Sequence, residues 1–463
     1  MSINLYWFRS DLRIRDNLAL NAALAQGPVV ALYIATPEQW LRHDDAPIKL
    51  DFWRRNLLTL ENSLKEIGVP LVLCQVADYA AIPELFEEII RKWEVSSVYF
   101  NAEYPLHELR RDDDISLFCQ AHEVNVKVSH DQCLLQPGSI LNNSGLPFKV
   151  FTPYSRKCRS MLYVAESVEG VGVSAPLAKP LAKLEKQCRL DQIDWPEANS
   201  SWETLWPAGE KHAQDLLTNF CKNTVADYKK QRDFPALDGT STLSPWLNAG
   251  VLSIRDCWRK ASAWHQGEGV ETWKNELLWR EFYRHIIFHF PHVSQNKPFK
   301  TNQEHVPWRH DEKEFARWCE GKTGIPIIDA AMRQLLETGW MHNRLRMITA
   351  MFLSKHLLID WRWGEKFFMQ HLVDGDFSAN NGGWQWSAST GTDSVPYFRV
   401  FNPVTQSKRF DGDGDFIRRF VPELNELDGK SIHEPGLFKP DEYPLPLIDL
   451  KFGRERALNA FRR

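Results

Sequence analysis

The first 130 residues alternate short apolar runs with longer stretches in which apolar residues recur at helical spacing. The short runs are rich in β-branched and aromatic residues, which are typical of strands. The predicted strands are 3–8, 29–35, 70–76, 96–102 and 124–130. Because strands separated by helices pair in parallel, the pattern predicts an α/β domain over residues 1–130, built on a doubly wound parallel sheet.

The rest of the chain changes character twice. Residues 131–207 are predicted to form a connecting segment and interdomain linker, because 166–207 is rich in Pro, Gly, Ser and charged residues. From 208 to 463, apolar residues recur at helical spacing and few runs alternate with period two. We therefore expect an all-α second domain over residues 208–463.

The sequence excludes several classes of protein. The apolar run 29–35 is the longest, and it is far shorter than the roughly 20 residues that span a bilayer. Arg9, Asp11 and Arg13 stand where a secretory signal would be apolar, so we expect a cytoplasmic protein with no membrane partner. The 8 cysteines include no CxxC pair and no metal motif fits, so no metal site is expected. No GxGxxG follows the first strand, so the usual dinucleotide fingerprint is missing.

Tryptophan is the compositional outlier. The chain has 19 tryptophans, and 14 of them follow residue 200. An indole offers a large flat contact area and an electron-rich ring, so this surplus indicates either an aromatic ligand or a path for electrons. A helical core rich in Trp explains the same numbers, and composition alone favours that second interpretation.

Two segments of the helical half carry groups that suit an anionic or polar ligand. The hydroxyl-rich turn 240–244 precedes an apolar helix, which suits a pyrophosphate, although an ordinary helix cap explains it as well. In 273–282, Trp273, Glu276 and Arg280 share one helix face. A buried carboxylate on that face would be costly unless it binds something.

Two further segments carry groups that suit a flat, hydrogen-bonding ligand. In 341–347, Asn343, Arg344 and Arg346 are donors for base edges and phosphates. The segment 374–386 combines two carboxylates, two amides, a Gly-Gly pair and two indoles. Small residues let a flat ring approach the backbone, and amides can bond the edge of that ring.

Together with WFRSDLRIRDN at 7–17, these segments resemble the DNA photolyase/cryptochrome family, and most closely the bacterial class I cyclobutane pyrimidine dimer photolyases. The resemblance runs from Trp7 through 401–411, and its most specific motifs are EGKTGIPIIDAAMRQL, TGWMHNRLRMI and DGDFSANNGGWQWSASTGTD. It implies a Rossmann-like N-terminal domain and a helical domain that holds one FAD beside a cavity for a flipped-out DNA lesion.

The resemblance also implies roles for individual residues. Asp374 would pair with Arg346, and Asn380 would face flavin N5. The FAD would be bound by Tyr228, Thr240, Ser241, Thr242, Leu243, Ser244, Trp273, Arg280, Arg346, Asp374, Asp376 and Asn380. The dimer and its DNA would be bound by Glu276, Trp279, Asn343, Arg344, Met347 and Trp386. The catalytic residues would be Glu276 and Asn380 at the reacting groups, with an electron relay of Trp308, Trp361 and Trp384.

The implied function is light-driven DNA repair. Excited, fully reduced FAD would give one electron to a cyclobutane pyrimidine dimer, the ring would split, and the electron would return. Glu276 would stabilise or protonate the dimer radical anion. The expected partner is DNA that contains such dimers, and the expected state is a monomer.

Two alternatives stay open within the same resemblance. A (6-4) photolyase carries histidines where Asn343 and Met347 stand here. A cryptochrome photoreceptor often replaces the residue at the position of Asn380 and commonly extends well past the region of homology. Both comparisons favour repair of cyclobutane dimers.

An antenna chromophore is the least constrained expectation. His43 and Glu108 stand where folate-binding relatives have the same residue types, which implies a 5,10-methenyltetrahydrofolate site. His107 stands where those relatives usually have Asn, and Ser294 and Gln295 replace their Cys-Lys pair. The lost Lys is a cation that could meet the folate glutamate tail, so a weak site is expected.

Overall fold

The computed structural model describes residues 2–162, 172–264, 266–303 and 305–462. Its strands, in chain order, are β1 (Ile3–Phe8), β2 (Val29–Ala35), β3 (Leu71–Gln75), β4 (Val95–Asn101), β5 (Asn125–Ser129) and β6 (Gln187–Cys188). They form one sheet in the order β5-β4-β1-β2-β3-β6. The first five strands pair in parallel, and the chain winds outward from β1 in both directions. The predicted doubly wound parallel sheet is confirmed.

The strands form where the apolar runs predicted them. All five predicted strands are present, with each boundary within one residue of its expected place. Every residue of β2 is buried, because helices cover both faces of a parallel sheet. Tyr6 and Phe8 belong to the apolar cluster on one face, whereas Leu5 and Trp7 belong to the cluster on the other.

The sixth strand comes from the segment that was predicted to be a connection. Cys188 pairs with Leu73, antiparallel to β3, and closes that edge of the sheet. The indole of Trp195 stacks on Trp40 with 4.9 Å between ring centroids, so this part of the connection packs on the α/β part of the molecule. A strand of two residues shows no alternation to detect in a sequence. Residues 163–171 of the predicted connection lie outside the described residues.

Helices cover the sheet and then build the rest of the chain. The helices of the α/β part are α1 (Leu18–Leu24), α2 (Pro37–Arg42), α3 (Pro47–Glu66), α4 (Ile82–Trp93) and α5 (Leu106–Ala121). Those that follow are α6 (Phe151–Met161), α7 (Ser201–Leu205), α8 (Glu210–Asn223), α9 (Tyr228–Gln231), α10 (Ser244–Asn248), α11 (Ile254–Trp264), α12 (Glu268–His289), α13 (Glu312–Cys319), α14 (Pro326–Thr338), α15 (Asn343–Met351), α16 (Trp361–Met369), α17 (Phe377–Ala388), α18 (Pro403–Phe410), α19 (Asp415–Phe420) and α20 (Leu450–Phe461). The predicted helical half is confirmed.

Helix α12 is the central element of the helical half. It is 22 residues long and contacts α6, α9, α11 and α17. Because neighbours surround it, buried residues such as Trp273, Leu278 and Phe282 lie on several of its sides. Helix α17 approaches it closely at Gly382, where a Cβ would lie 2.1 Å from the Tyr283 ring. The glycine is therefore required for packing, although it weakens a helix.

One predicted helix is interrupted. The apolar spacing predicts a continuous helix over 343–359, but α15 ends at Met351 and a π-helical turn covers Phe352–His356. In this turn the amide of Leu357 donates to the carbonyl of Phe352 at 3.0 Å. Residue spacing alone does not separate an α-helix from a single π turn.

The α/β part and the helical part share a core. Phe52 and Trp246, one from each part, pack edge to face with 5.5 Å between ring centroids. Asp131 forms buried ion pairs with Arg13 and with Arg255 at 2.5 and 2.6 Å. These contacts fix the two parts against each other. Among the described helices, none is long and apolar enough to cross a membrane.

Candidate functional site

Five helices bring most of the sequence-predicted site residues together. Helix α12 contacts α9 and α17, and α17 also contacts α15 and α16. The predicted residues on these helices are Tyr228, Trp273, Glu276, Trp279, Arg280, Asn343, Arg344, Arg346, Met347, Trp361, Asn380, Trp384 and Trp386. Segments that are far apart in the sequence thus meet around one region.

Glu276 pairs with a residue that the sequence analysis did not single out. Its carboxylate accepts a hydrogen bond from Arg232 Nη1 at 2.5 Å, and its side chain is 30% exposed. We had expected a buried carboxylate beside Arg280, and the structure differs on both counts. Arg232 directly follows α9, which contacts α12, and so reaches Glu276, whereas Arg280 donates to backbone carbonyls.

A series of ion pairs connects Glu276 on α12 to Arg344 on α15. Asp233 lies 3.8 Å from Arg232 and accepts a hydrogen bond from Arg344 Nη2 at 2.8 Å. The Arg344 guanidinium also lies 4.5 Å from the centroid of the Phe410 ring. Glu276, Arg232, Asp233 and Arg344 therefore alternate in sign, and Arg344 already has a partner.

Arg346 and Asp374 form an ion pair. Arg346 Nη2 lies 3.0 and 2.9 Å from the two carboxylate oxygens of Asp374, and Arg346 Nε donates to the carbonyl of Met341 at 2.8 Å. The Asp374 side chain is 3% exposed. This is the pair that the family resemblance implies.

Arg280 is a half-buried arginine whose guanidinium donates to backbone carbonyls. It donates to the carbonyls of Gln132 at 2.5 Å and Leu247 at 3.4 Å. In the part of the chain that is described, it forms no ion pair with a carboxylate. Burial and the neighbouring charge of Arg284 lower the pKa of Arg280. A guanidinium has five N–H donors, so an anionic group could still bind here.

Asp376 caps helix α17 and pairs with a second arginine. Its Oδ1 accepts from the amide of Ala379 at 2.9 Å, and its Oδ2 forms an ion pair with Arg284. Burial alone would raise the pKa of Asp376, but the guanidiniums of Arg284 and Arg280 lower it below the usual range. The carboxylate is therefore held in its ionised form.

The hydroxyl-rich turn leads into a helix of five residues, α10. Thr242 has a positive φ of 48°, which turns the chain sharply, and Leu243 is buried. Ser244 Oγ accepts from Trp340 Nε1 at 3.3 Å, so the turn adjoins the approach to α15. The side chains of Thr240 and Ser241 are half-buried.

The residues expected to hold the lesion vary in exposure. Trp279 is half-buried and stacks on Phe151, with 3.8 Å between ring centroids and 7° between planes. Asn343 is exposed at the first position of α15, while Met347 and Trp386 are half-buried. Because Phe151 covers one face of Trp279, only its other face can stack on a ligand.

Asn380 is held in one orientation. Its Nδ2 donates to the backbone carbonyl of Glu365 at 2.9 Å. The neighbouring Asn381 donates through Nδ2 to the Glu365 carboxylate at 2.7 Å. The amide of Asn380 is thereby fixed so that its Oδ1 remains available as an acceptor.

The three predicted relay tryptophans differ in burial. Trp361 and Trp384 are fully buried, and the N–H of each indole has no hydrogen-bond partner among the described residues. Trp384 packs closely on α16, where a Cβ at Gly364 would lie 2.0 Å from its ring. Trp308 is half-buried at the edge of the same apolar cluster. The series therefore runs from the interior toward the surface.

A cavity of about 760 Å³ lies between the α/β part and the helical part. His43, Glu108 and Asp376 are the predicted site residues that line it. His43 Nε2 lies 3.1 Å from His107 Nδ1, and His43 Nδ1 lies 3.6 Å from the Glu108 carboxylate. Burial and the neighbouring His43 lower the pKa of His107. The residues expected at an antenna site are thus brought together.

Several residues of this region were missed by sequence reasoning. Arg232 and Asp233 stand in QRDFPALDG, just before the turn that was singled out, so only their place next to it could have drawn notice. Arg284 lies one helical turn after Arg280, just beyond the segment 273–282 whose side chains were considered. Trp318 is fully buried and contacts Trp384 with 6.0 Å between ring centroids. Nothing in the sequence distinguishes Trp318 from a tryptophan that only packs in the core.

The structure thus combines a doubly wound α/β part with a helical part that holds two fully buried indoles and, among the described residues, an arginine without a carboxylate partner. Residues 4–175 match DNA photolyase, and residues 273–463 match the FAD-binding domain of DNA photolyase. The chain belongs to the DNA photolyase family and has its FAD-binding domain.

Individual relatives from this family match the chain over nearly its full length. The chain is 44% identical to a deoxyribodipyrimidine photo-lyase of Vibrio cholerae, across 99% of each chain. A class III photolyase from Agrobacterium tumefaciens has a TM-score of 0.86 and 35% identity, over 100% of this chain and 97% of that one. A Synechocystis cryptochrome has a TM-score of 0.89 and 27% identity, over 99% of both chains. The fold is thus shared by a photolyase and by a cryptochrome.

Proposed function

We propose that this protein repairs cyclobutane pyrimidine dimers in DNA with light, acting as a monomer. The observation that carries the proposal is the packing of α12 and α15 on α17, the three helices that carry Glu276, Trp279, Asn343 and Asn380. The full-length similarity to deoxyribodipyrimidine photo-lyases supports the same conclusion. The division at 1–130, 131–207 and 208–463 remains our proposal for the domains.

The residues present fit an FAD. Arg280 lacks an anionic partner among the described residues, and the half-buried hydroxyls of Thr240 and Ser241 suit a pyrophosphate. We place Tyr228, Trp273, Asp374 and the turn up to Ser244 around the same cofactor. When bound and reduced, FAD supplies the electron that light drives onto the dimer.

Asn380 sets the hydrogen bonding at the cofactor. Because its Nδ2 is engaged by the Glu365 carbonyl, its Oδ1 is the atom that faces any ring placed beside it. An acceptor at that position favours an N–H on the ring. We therefore propose that Asn380 holds the cofactor in the form that retains a proton at N5.

Glu276 and Arg232 prepare the lesion site for negative charge. An extra electron on a dimer next to a lone carboxylate would be repelled, but Arg232 lies 2.5 Å from Glu276 and compensates its charge. Trp279 offers its uncovered face for stacking, and Met347 and Trp386 supply apolar walls. Asn343, exposed at the start of α15, can read the edge of a flipped base.

Substrate choice tests this proposal. Two oligonucleotides that differ only in their lesion, one with a cyclobutane dimer and one with a (6-4) product, are given to the reduced, illuminated protein. We expect restored bases with the first and none with the second, because Asn343 and Met347 stand where the alternative has histidines. Repair of the (6-4) product instead would reject the proposal.

The salt dependence of DNA binding should include a contribution from Arg344. Arg344 is paired with Asp233 in the free protein, so a phosphate must compete for it. Replacing Arg344 with Gln should lower the salt slope of log Kd by about 0.9, the value for one phosphate contact. Replacing Asp233 with Asn should leave the salt slope unchanged and tighten DNA binding, because the carboxylate that competes for Arg344 is removed. An unchanged slope in Arg344→Gln would place Arg344 away from DNA.

We also propose a weak folate site in the interdomain cavity, with His43 and Glu108 as ligands. His43 is already engaged by Gln39 and His107, at 2.8 and 3.1 Å, so a ligand must displace one of them. Replacing His107 with Asn should therefore strengthen binding of added 5,10-methenyltetrahydrofolate, measured as a near-ultraviolet band that transfers energy to FAD. No band at saturating folate in either protein would reject the site, and a flavin or deazaflavin band would identify a different antenna.

A further inference from the structure

Glu365 is a buried carboxyl that connects two regions of the molecule. It lies on α16 and is one of the residues that line the interdomain cavity. Its backbone carbonyl accepts the hydrogen bond from Asn380 Nδ2, and its carboxylate accepts one from Asn381 Nδ2 at 2.7 Å. One residue therefore contacts both the cavity and the amide that we place beside the cofactor.

The charges around Glu365 nearly balance one another. Arg362, on the same helix, lowers the pKa of Glu365 but is itself paired with Asp360 at 3.1 Å. From the α/β part, Asp44 faces the same region and lies 3.5 Å from Lys366 Nζ. In the described part of the chain, Glu365 itself forms no ion pair. Its proton is therefore bound or released without a fixed counter-charge.

Burial raises the pKa of Glu365 to about 7, and this is offset only in part by Asn381 and Arg362. The carboxyl thus changes its charge close to neutral pH, unlike an exposed glutamate. A change in the charge of Glu365 does not affect the N-terminal cap of α16, because that cap is Asp360.

We propose that Glu365 is a positioning residue that binds one proton from solvent whenever an electron is placed beside Asn380, and releases it when the electron leaves. The inference rests on the proposed function, because it needs the cofactor next to Asn380. An added negative charge nearby favours the neutral form of a carboxyl. For the electron that arrives, one O–H bond of an acid in the solvent breaks and one O–H bond forms at Glu365; any proton that the cofactor itself takes up is additional. The cavity that Glu365 lines is the route to solvent.

Infrared difference spectroscopy tests this directly. The full-length, FAD-loaded protein is reduced chemically in a slightly alkaline buffer, where Glu365 is mostly ionised. We expect a new carbonyl band of a protonated carboxyl in the parent, absent in Glu365→Gln and retained in Glu365→Asp. Glu281→Gln is the matched control, because burial also raises the pKa of Glu281 to about 7 but its carboxylate accepts from the amide of Leu134.

A second measurement covers the case in which a variant folds poorly. In the parent, the equilibrium constant for reduction of FAD should depend on pH near neutrality. Uptake of one proton changes this constant by at most about tenfold per pH unit. This dependence on pH should be smaller in Glu365→Gln and unchanged in Glu281→Gln. A parent with normal flavin bands but no carbonyl band, or a band lost in Glu281→Gln instead, would overturn the inference. A folded protein with no flavin bands would contradict the proposed function rather than the role of Glu365.

Discussion

Replacing Trp308 with Phe should stop light-driven reduction of oxidised FAD but leave repair by already reduced protein intact. Trp308 is half-buried at the edge of the cluster that contains Trp361 and Trp384, so it is the member that a donor in solvent can reach. Phe keeps most of the bulk but lacks the easily oxidised indole. The measurement is the loss of oxidised flavin absorbance under blue light with an external reductant.

A matched control separates the relay from a general effect of losing an indole. Trp264 is an exposed tryptophan at the end of α11, and Trp264→Phe should reduce its flavin as the parent does. Repair by chemically reduced Trp308→Phe should match the parent, because that electron starts on the cofactor. Normal photoreduction in Trp308→Phe would show that this relay is not the one used.

Trp279→Ala should selectively weaken binding to damaged DNA. The uncovered face of Trp279 is the only one free to stack, since Phe151 covers the other at 3.8 Å. A stacking contact contributes about 1–3 kcal/mol per base, which is about a 5- to 150-fold change in Kd. Affinity for an intact duplex should change little, because phosphate contacts dominate it. Kd is measured on matched duplexes with and without one dimer.

Two further variants control for lost packing against Phe151. Trp279→Phe keeps an aromatic face and should retain most of the discrimination, whereas Trp264→Ala removes an exposed indole and should change neither affinity. An equal loss on damaged and intact duplexes in Trp279→Ala would place this residue outside the lesion pocket.

The sheet could be predicted because each strand is a separate apolar run. Val29–Ala35 is buried at every position, and such a run between turn signals has few other interpretations. The edge strand Gln187–Cys188 was not predicted, because its pairing with β3 depends on where the chain returns, not on its own composition. The π turn at Phe352–His356 was missed for a similar reason, since helical spacing continues through it.

The candidate site was predictable by residue type but not by partner. Asp374 and Arg346 are 28 residues apart, and their pairing was implied only by the family resemblance. Glu276 and Arg232 are 44 residues apart, and the periodicity of α12 instead pointed to Arg280 as a neighbour. An ion pair between segments that are distant in the chain depends on tertiary packing, which spacing within one helix does not report. Glu365 was missed because its burial and its contact with Asn380 exist only in the folded chain.

The central claim is that this chain splits cyclobutane dimers with light, and one turnover measurement tests it most directly. Reduced protein is mixed with an oligonucleotide that carries a single cyclobutane thymine dimer, and one half is illuminated with near-ultraviolet to blue light while the other stays dark. We predict that intact thymines return only in the illuminated half, with many turnovers per FAD. Equal amounts of dimer in both halves, from a folded preparation that contains reduced FAD and binds the oligonucleotide, would contradict the claim.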